Sequence, residues 1–305
     1  MNHNEVIECP ICEKKGIPDS SIFSQYSQTT FFVLRCVICG LGWIKNPNLD
    51  FSSLYGEDYY KGQGADKDVS YYQENFGKPD SVQIKIRQLE FKGIEKTLLS
   101  LNPKGLSNLH LDFGGGLGGL VRHLNKNGFE STLLEYGWAQ SVARELKTPI
   151  SNGLKENFYD FVTAIEVLEH LINPMEALND LCSSIKPGGY LIITTGNLGR
   201  HHGQIANWSY VKNNPDVHIT YFTPLALSIA LSKFGFEKTP VKFHSDVVLY
   251  KILKNLSFYF LRNKKMYFLK LLYAARWLIY PATPLADRVK GVSEIGVYRK
   301  KTTHS

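Results

Sequence analysis

The sequence predicts an α/β fold built on a mainly parallel sheet, with a small cysteine-paired module ahead of it. Three observations carry this expectation. After Pro103, short apolar runs alternate with helical stretches, the pattern of parallel strands joined by crossover helices. The first of these runs, Leu109–Phe113, opens into a glycine-rich turn. Four of the five cysteines fall in two Cys-x2-Cys pairs near the N-terminus. With 305 residues, 43% hydrophobic and 21% charged, the chain reads as globular throughout, one enlarged domain plus the small module.

Residues 1–45 carry Cys9-Pro-Ile-Cys12 and Cys36-Val-Ile-Cys39-Gly40, with twenty-three residues between the pairs. Each pair can offer two thiolates to one tetrahedral ion, so Cys9, Cys12, Cys36 and Cys39 read as a structural zinc site of the ribbon type. Phe31–Arg35 reads as a strand feeding the second pair, and Gly40 suits a tight knuckle turn. The alternative, two disulfides, is disfavoured because the first thirty residues lack a basic start followed by an apolar run. That leaves the cytoplasm, where thiols stay reduced, as the expected compartment. Cys182, alone, reads as a core residue of a helix.

Residues 46–105 form a connector rich in Tyr, Gly, Asp and Lys, including Leu54-Tyr-Gly-Glu-Asp-Tyr-Tyr60, with one long helix over Val82–Leu101. Residues 106–245 are the core. Its strands are expected at Leu109–Phe113, Ser131–Glu135, Asp160–Ile165, Gly189–Thr195 and Phe236–Phe243. Its helices are expected at Gly119–Asn127, Trp138–Leu146, Pro174–Ile185 and Pro224–Phe234, the last closed by Gly235. Residues 246–290 read as an insertion of two amphipathic helices, 247–261 and 265–280, and residues 291–305 hold a last strand at Glu294–Arg299. The charge is uneven: Asp246–Lys301 has twelve Lys/Arg against three Asp/Glu, in a chain of net +7. Lysines and arginines interrupt every apolar run of the insertion before the ~18 residues of a membrane span, so no span is predicted. The insertion reads as a cover on the main domain, or as a face for peripheral contact at the inner membrane surface.

The glycine turn contains Asp112-x-Gly114-x-Gly116-x-Gly118, which lets backbone approach a ligand where the next helix begins. The following strand ends in Glu135, where a carboxylate can accept hydrogen bonds from ribose hydroxyls. Further on come Glu166-Val-Leu-Glu169-His170-Leu, then Asn173-Pro174, then Lys186-Pro-Gly-Gly189 before a strand. In this order these residues resemble class I S-adenosylmethionine-dependent methyltransferases over roughly 109–243. His218-Ile-Thr-Tyr-Phe-Thr-Pro224 with Gly235-Phe236 looks like the same family's later segment. The four cysteines and the Tyr59-Tyr60 pair ahead of the core look like a bacterial subgroup associated with sugar or polysaccharide modification. Three departures stand out: there is no room for the extra C-terminal domain of the sugar C-methyltransferases, Glu135 is followed by Tyr136-Gly-Trp138, and Ser151-Asn-Gly-Leu154 stands where relatives place an Asp near the adenine amino group.

The resemblance implies a Rossmann-like seven-stranded sheet of order 3-2-1-4-5-7-6 and S-adenosylmethionine as cofactor. It places Asp112, Gly114, Gly116, Gly118, Glu135, Tyr136 and Glu166 at the cofactor. The expected activity is O-methylation of a sugar, glycolipid or other small molecule. The alternatives are C-methylation of a nucleotide-linked sugar, RNA methylation, or cofactor binding without catalysis. A nucleic-acid partner is disfavoured because the ribbon lacks a basic stripe interleaved with aromatics. His170 is the leading general base, with Glu169 and His218 as the other catalytic candidates. A chain turning helical after Ile165 would set Glu166, Glu169 and His170 on one face. The run is similar to one that, with a later His, binds a divalent ion in some O-methyltransferases, so a second ion at Glu166, Glu169, His170 and His218 is a further expectation. The loop 196–218 offers His201, His202, Asn207, Trp208 and Tyr210 as pocket residues.

Overall fold

The computed structural model describes residues 7–66, 82–102, 107–241 and 293–302. The expected helices at 247–261 and 265–280 lie outside the described residues. The N-terminal segment forms three strands, β1 (Gly16–Phe23), β2 (Thr30–Cys36) and β3 (Gly42–Ile44). Two short helices follow, α1 (Phe51–Leu54) and α2 (Glu57–Tyr60). Asp50 caps α1 by accepting the Ser53 amide. The long helix α3 (Val82–Leu101) has the bounds the sequence predicts, and it belongs to a different compact unit from the strands described here.

The core runs β4 (Leu109–Phe113), α4 (Gly119–Lys126), β5 (Glu130–Leu134), α5 (Gly137–Glu145), β6 (Tyr159–Ile165), α6 (Pro174–Ser184) and β7 (Ile185–Gly196). It continues through α7 (Ser209–Lys212), β8 (Thr220–Tyr221), α8 (Pro224–Ser232), β9 (Phe236–Lys238) and β10 (Ser293–Lys300). Six strands form one sheet in the order β5-β4-β6-β7-β10-β9. The first four are parallel, and β10 lies antiparallel between β7 and β9. Among the described residues the sheet has six strands, against the seven expected. At the outer edge of β5 a single parallel bridge, Leu133 to Ile150, stands where the third strand of the expected order would lie. Directly after the bridge Ser151 Oγ donates to the Gly153 carbonyl at 2.6 Å.

Side chains of a strand alternate between faces, and β5 shows it: Leu133 packs with Val121 of α4 and Ala143 of α5, whereas Leu134 joins the opposite core. That opposite core gathers Leu178, Leu181 and Cys182 of α6 with Ala226, Leu227, Ala230 and Leu231 of α8. It also contains Cys9, Ile11, Cys36, Cys39 and Leu41, so the cysteine segment packs within the core of the large sheet. The connection is backbone as well. β8 supplies the fourth strand of a second sheet, β1-β2-β3-β8, pairing Gly42 with Tyr221 and Trp43 with Thr220. β9 is shorter than expected, since Pro240 cannot donate to a ladder.

Candidate functional site

The carboxyl ends of parallel strands are where an open α/β sheet binds ligands, and the predicted residues meet there. β4 delivers Asp112, buried, whose Oδ1 accepts from Thr163 Oγ1 at 2.7 Å. Thr163 Oγ1 also contacts His110 Nε2 at 3.0 Å, and His110 Nδ1 contacts Ser131 Oγ at 2.7 Å. This fully buried imidazole is held neutral, its pKa driven down to about 3 by burial. The turn then passes so close to Asp112 that a Cβ on Gly115 would lie 2.1 Å from Oδ2. Gly118, at φ +73°, caps α4 in the left-handed region, and a Cβ there would meet Thr148 Cγ2 at 2.4 Å. Thr148 Oγ1 in turn receives Arg122 Nη1 at 2.6 Å.

Glu135 follows β5 directly. Its carboxylate accepts the amides of Gly116 at 2.8 Å and Tyr136 at 3.0 Å. Burial, with the Asp112 charge adding to it, pushes the Glu135 pKa up to about 7 against the two amide bonds. The Tyr136 ring is 67% exposed. Next to it, Tyr60 of α2 stacks on Trp138 with centroids 5.4 Å apart, and Tyr59, Leu54 and Val217 join Leu117 of the glycine turn in one apolar cluster. The 51–66 segment therefore covers the turn.

The second half of the site sits after β6. The expected helix does not begin at Glu166, which takes φ +54°, and only a 3-10 turn over Leu168–His170 follows. The left-handed kink is held from outside: the Glu166 amide donates to the Thr194 carbonyl at 2.8 Å, and its carboxylate accepts Thr194 Oγ1 at 2.8 Å. Glu166, Glu169 and His170 are thus not brought onto one helical face. Glu169 is fully buried, its Oε2 accepting Thr195 Oγ1 at 2.8 Å and its Oε1 accepting the Tyr210 hydroxyl. Burial and then the neighbouring Glu166 charge push its pKa up to about 7.

His170 Nδ1 lies 2.9 Å from the Val217 carbonyl, and His218 Nδ1 lies 2.8 Å from that of Tyr210. A carbonyl can only accept, so both rings carry their proton on Nδ1 and present Nε2 as a lone pair. Neither Nε2 has a hydrogen-bond partner among the described residues. Burial holds both imidazoles below the ordinary range, hence neutral. The rings lie 4.9 Å apart, and the ligand atoms of Glu169, His170 and His218 all fall within 4.8 Å of one another. Glu166 stands outside that group. Tyr210 stacks on His218 at 4.3 Å and on Trp208 at 4.8 Å, so two of the loop residues singled out from sequence wall the site. His201 stacks on Trp208, while His202 and Asn207 are exposed.

Tyr55 was not singled out by its motif, yet its hydroxyl lies 3.0 Å from His170 Nδ1. Burial and the carboxylates of Glu169, Asp66 and Glu135 push its phenol up, which places Tyr55 between the two halves of the site. The aromatic density of Leu54–Tyr60 was the available signal.

The cysteines converge as the spacing predicts. Sγ distances are 3.6 Å for Cys9–Cys39, 3.4 Å for Cys12–Cys36 and 3.6 Å for Cys12–Cys39, all four being free thiols. A tetrahedral zinc with ~2.3 Å bonds sets its sulfurs about 3.8 Å apart, so the set fits that ion. The Cys39 contact lowers the Cys9 thiol to about 5, while Cys9 and burial push Cys39 up. One thiolate is favoured at its neighbour's expense, and a cation relieves that conflict.

Over residues 87–241, more than half of its length, the chain matches the methyltransferase-domain family and belongs to it; the protein is an S-adenosylmethionine-dependent methyltransferase. Two solved structures share the fold. A Galdieria sulphuraria protein provisionally assigned as a sarcosine dimethylglycine methyltransferase aligns with a TM-score of 0.53 at 14% identity, over 77% of this chain and 98% of its own. Phosphoethanolamine N-methyltransferase 2 of Haemonchus contortus, in complex with S-adenosyl-L-methionine, aligns with a TM-score of 0.54 at 13% identity, over 95% of this chain and 69% of its own. At these identities the likeness establishes the fold. No helix among the described residues is long and apolar enough to cross a membrane.

Proposed function

We propose that the protein methylates a hydroxyl of a small molecule, with a sugar or glycolipid as the acceptor class, and that His170 takes the hydroxyl proton. One observation carries this reading: a half-buried, neutral imidazole whose Nδ1–H is pinned to the Val217 carbonyl and whose Nε2 has no hydrogen-bond partner among the described residues. The cofactor supplies, when bound, an electrophilic methyl on a sulfonium. Gly114, Gly116 and Gly118 bring backbone to its methionine end, with Asp112 fixing the turn from beneath. Glu135 accepts from the ribose hydroxyls, Tyr136 lies toward the adenine, and Glu166 closes the pocket at the end of β6. Glu169 and His218 complete the acceptor side, held by the stack of His218, Tyr210 and Trp208 behind them. The small-molecule class agrees with the names of the two solved relatives.

A second reading is favoured by the Glu169, His170 and His218 cluster, whose two free Nε2 atoms and carboxylate suit a divalent ion. In that case His170 is a ligand and cannot act as base. Metal analysis separates the two: one ion per chain, lost only with the cysteines, supports the base, whereas a second ion lost in His218→Ala supports the ligand set. For the first reading, His170→Ala lowers turnover by ~10²–10⁴-fold while S-adenosylhomocysteine affinity holds. Near-normal methylation by that variant removes His170 as base. Incubation with methyl-labelled cofactor and fractionated bacterial extract identifies the acceptor, and label confined to RNA overturns the small-molecule reading.

A further inference from the structure

We propose that the four-cysteine metal site anchors the acceptor half of the catalytic pocket, through Thr223 and Ile219 as positioning residues, while the cofactor half stands without it. The inference rests on the reading of Glu169 and His218 as acceptor-side residues.

The connection is a short, continuous run of hydrogen bonds. Leaving the knuckle, Cys36 N–H donates to the Leu41 carbonyl at 2.8 Å, and Thr223 Oγ1 donates to the Cys39 carbonyl at 2.6 Å. The knuckle's next residues form β3, which pairs with β8 at Gly42–Tyr221 and Trp43–Thr220. The ladder extends by one rung, Ile44 N–H to the Ile219 carbonyl at 2.9 Å. Ile219 then passes the contact on: its own amide donates to the carbonyl of Glu169 at 2.8 Å. Thr220 Oγ1 donates to the Leu171 carbonyl at 3.0 Å, and the Tyr221 hydroxyl donates to that of His218 at 2.5 Å. The segment 218–223 thus holds the knuckle on one side and the Glu169–His170 turn on the other. Packing ties the same elements, since a Cβ on Gly42 would meet Ile205 Cδ1 at 2.5 Å and Tyr221 Cδ2 at 3.1 Å.

The cofactor half is fastened elsewhere. Gly114 bonds to Leu134, Gly116 to Glu135, and Asp112 to Thr163, all in or directly after β4, β5 and β6. A two-residue strand such as β8 has little stability of its own. Its position is set by β3, and β3 is three residues long, beginning three positions after Cys39. An ion fixing Cys36 and Cys39 fixes the start of β3; releasing it frees that start, and His218 and Glu169 lose a wall each.

The test uses the full-length holoprotein before and after dialysis against a zinc chelator, read by amide hydrogen exchange and by calorimetry with S-adenosylhomocysteine. Neither readout needs the acceptor, so a failure of the hydroxyl-methylation reading leaves the result interpretable. Zinc removal is expected to speed exchange about tenfold or more in 41–45, 168–171 and 218–223, with 109–121 and 130–145 unchanged and affinity within about twofold. Unchanged exchange in 218–223 after zinc is lost overturns the proposal, as does equal loss of protection across the whole chain. Because the stripped protein could aggregate, Thr223→Val supplies a second arm with the cysteines intact. It is expected to keep one zinc and the calorimetric affinity, to exchange faster over 218–222 and the Glu169 turn, and to turn over more slowly, with Thr223→Ser restoring both. Thr223 Oγ1 also accepts from Ala226 N–H, capping α8. Faster exchange confined to 224–232 therefore means a capping role alone and refutes the positioning role.

Discussion

On the proposed ribose role, Glu135 makes cofactor affinity depend on pH. Its carboxyl titrates at about 7 instead of the ordinary 4.5, with burial as the main cause. A raised carboxyl pKa means that this group's contribution to the stability of the unliganded protein is full below about 4.5 and is lost as pH climbs through about 7. Ribose hydroxyls donate to the charged form, so binding selects it. The ionised fraction is about 91% at pH 8 and about 9% at pH 6, so the Kd for S-adenosylhomocysteine should rise roughly tenfold over that interval, ~1.4 kcal/mol. Calorimetry at pH 6, 7 and 8, in buffers of differing ionisation enthalpy, measures both the affinity and the proton released. In Glu135→Gln the slope should vanish, with affinity at pH 8 about tenfold to a hundredfold weaker through loss of a charge-assisted bond. Glu169 titrates in the same window, so Glu169→Gln is the control and should keep the slope. A Kd flat from pH 6 to 8, or a slope surviving in Glu135→Gln, refutes the reasoning.

Two further predictions concern the scaffold. Gly118→Ala adds left-handed strain of roughly 1–2 kcal/mol to a Cβ contact with Thr148, and should weaken both the thermal midpoint and cofactor affinity; a variant matching wild type in both would show that the turn relaxes freely. Lys186→Met leaves the fully buried Asp160 with Ser107 Oγ and the Leu109 amide as its bonded partners, and should cost about 1–3 kcal/mol by denaturant unfolding without moving cofactor Kd.

The core was readable because strand and helix periods alternate cleanly there and glycines and prolines punctuate them. Leu109–Phe113 and Val82–Leu101 match to the residue. The small strands were not readable. β1 contains Pro18, Asp19 and two serines, poor strand formers that pair only because β2 lies alongside, with an irregularity between Pro18 and Ser20. β8 exists through its pairing with β3, a partner no local pattern reveals. In the site, the residue types at 166, 169 and 170 were legible but their arrangement was not. The run Glu-Val-Leu-Glu-His favours a helix, and the bond from the Glu166 amide to Thr194, twenty-eight residues on, overrides it.

The composite sheet β1-β2-β3-β8 also constrains the order in which the chain can fold during synthesis. Trp43 finds its partner Thr220 only 177 residues later in the sequence. At ~5–20 residues per second, the edge of β3 waits about 9–35 s on the ribosome before its neighbour is made. For most of that interval the cysteines lack the α6 side chains that later pack with them, and for all of it those of α8. Early capture of a metal ion would hold the knuckle together while the rest emerges. A nascent chain deprived of zinc is therefore expected to be most vulnerable to misassembly at its N-terminal end, although the residues completing that end are translated near position 220.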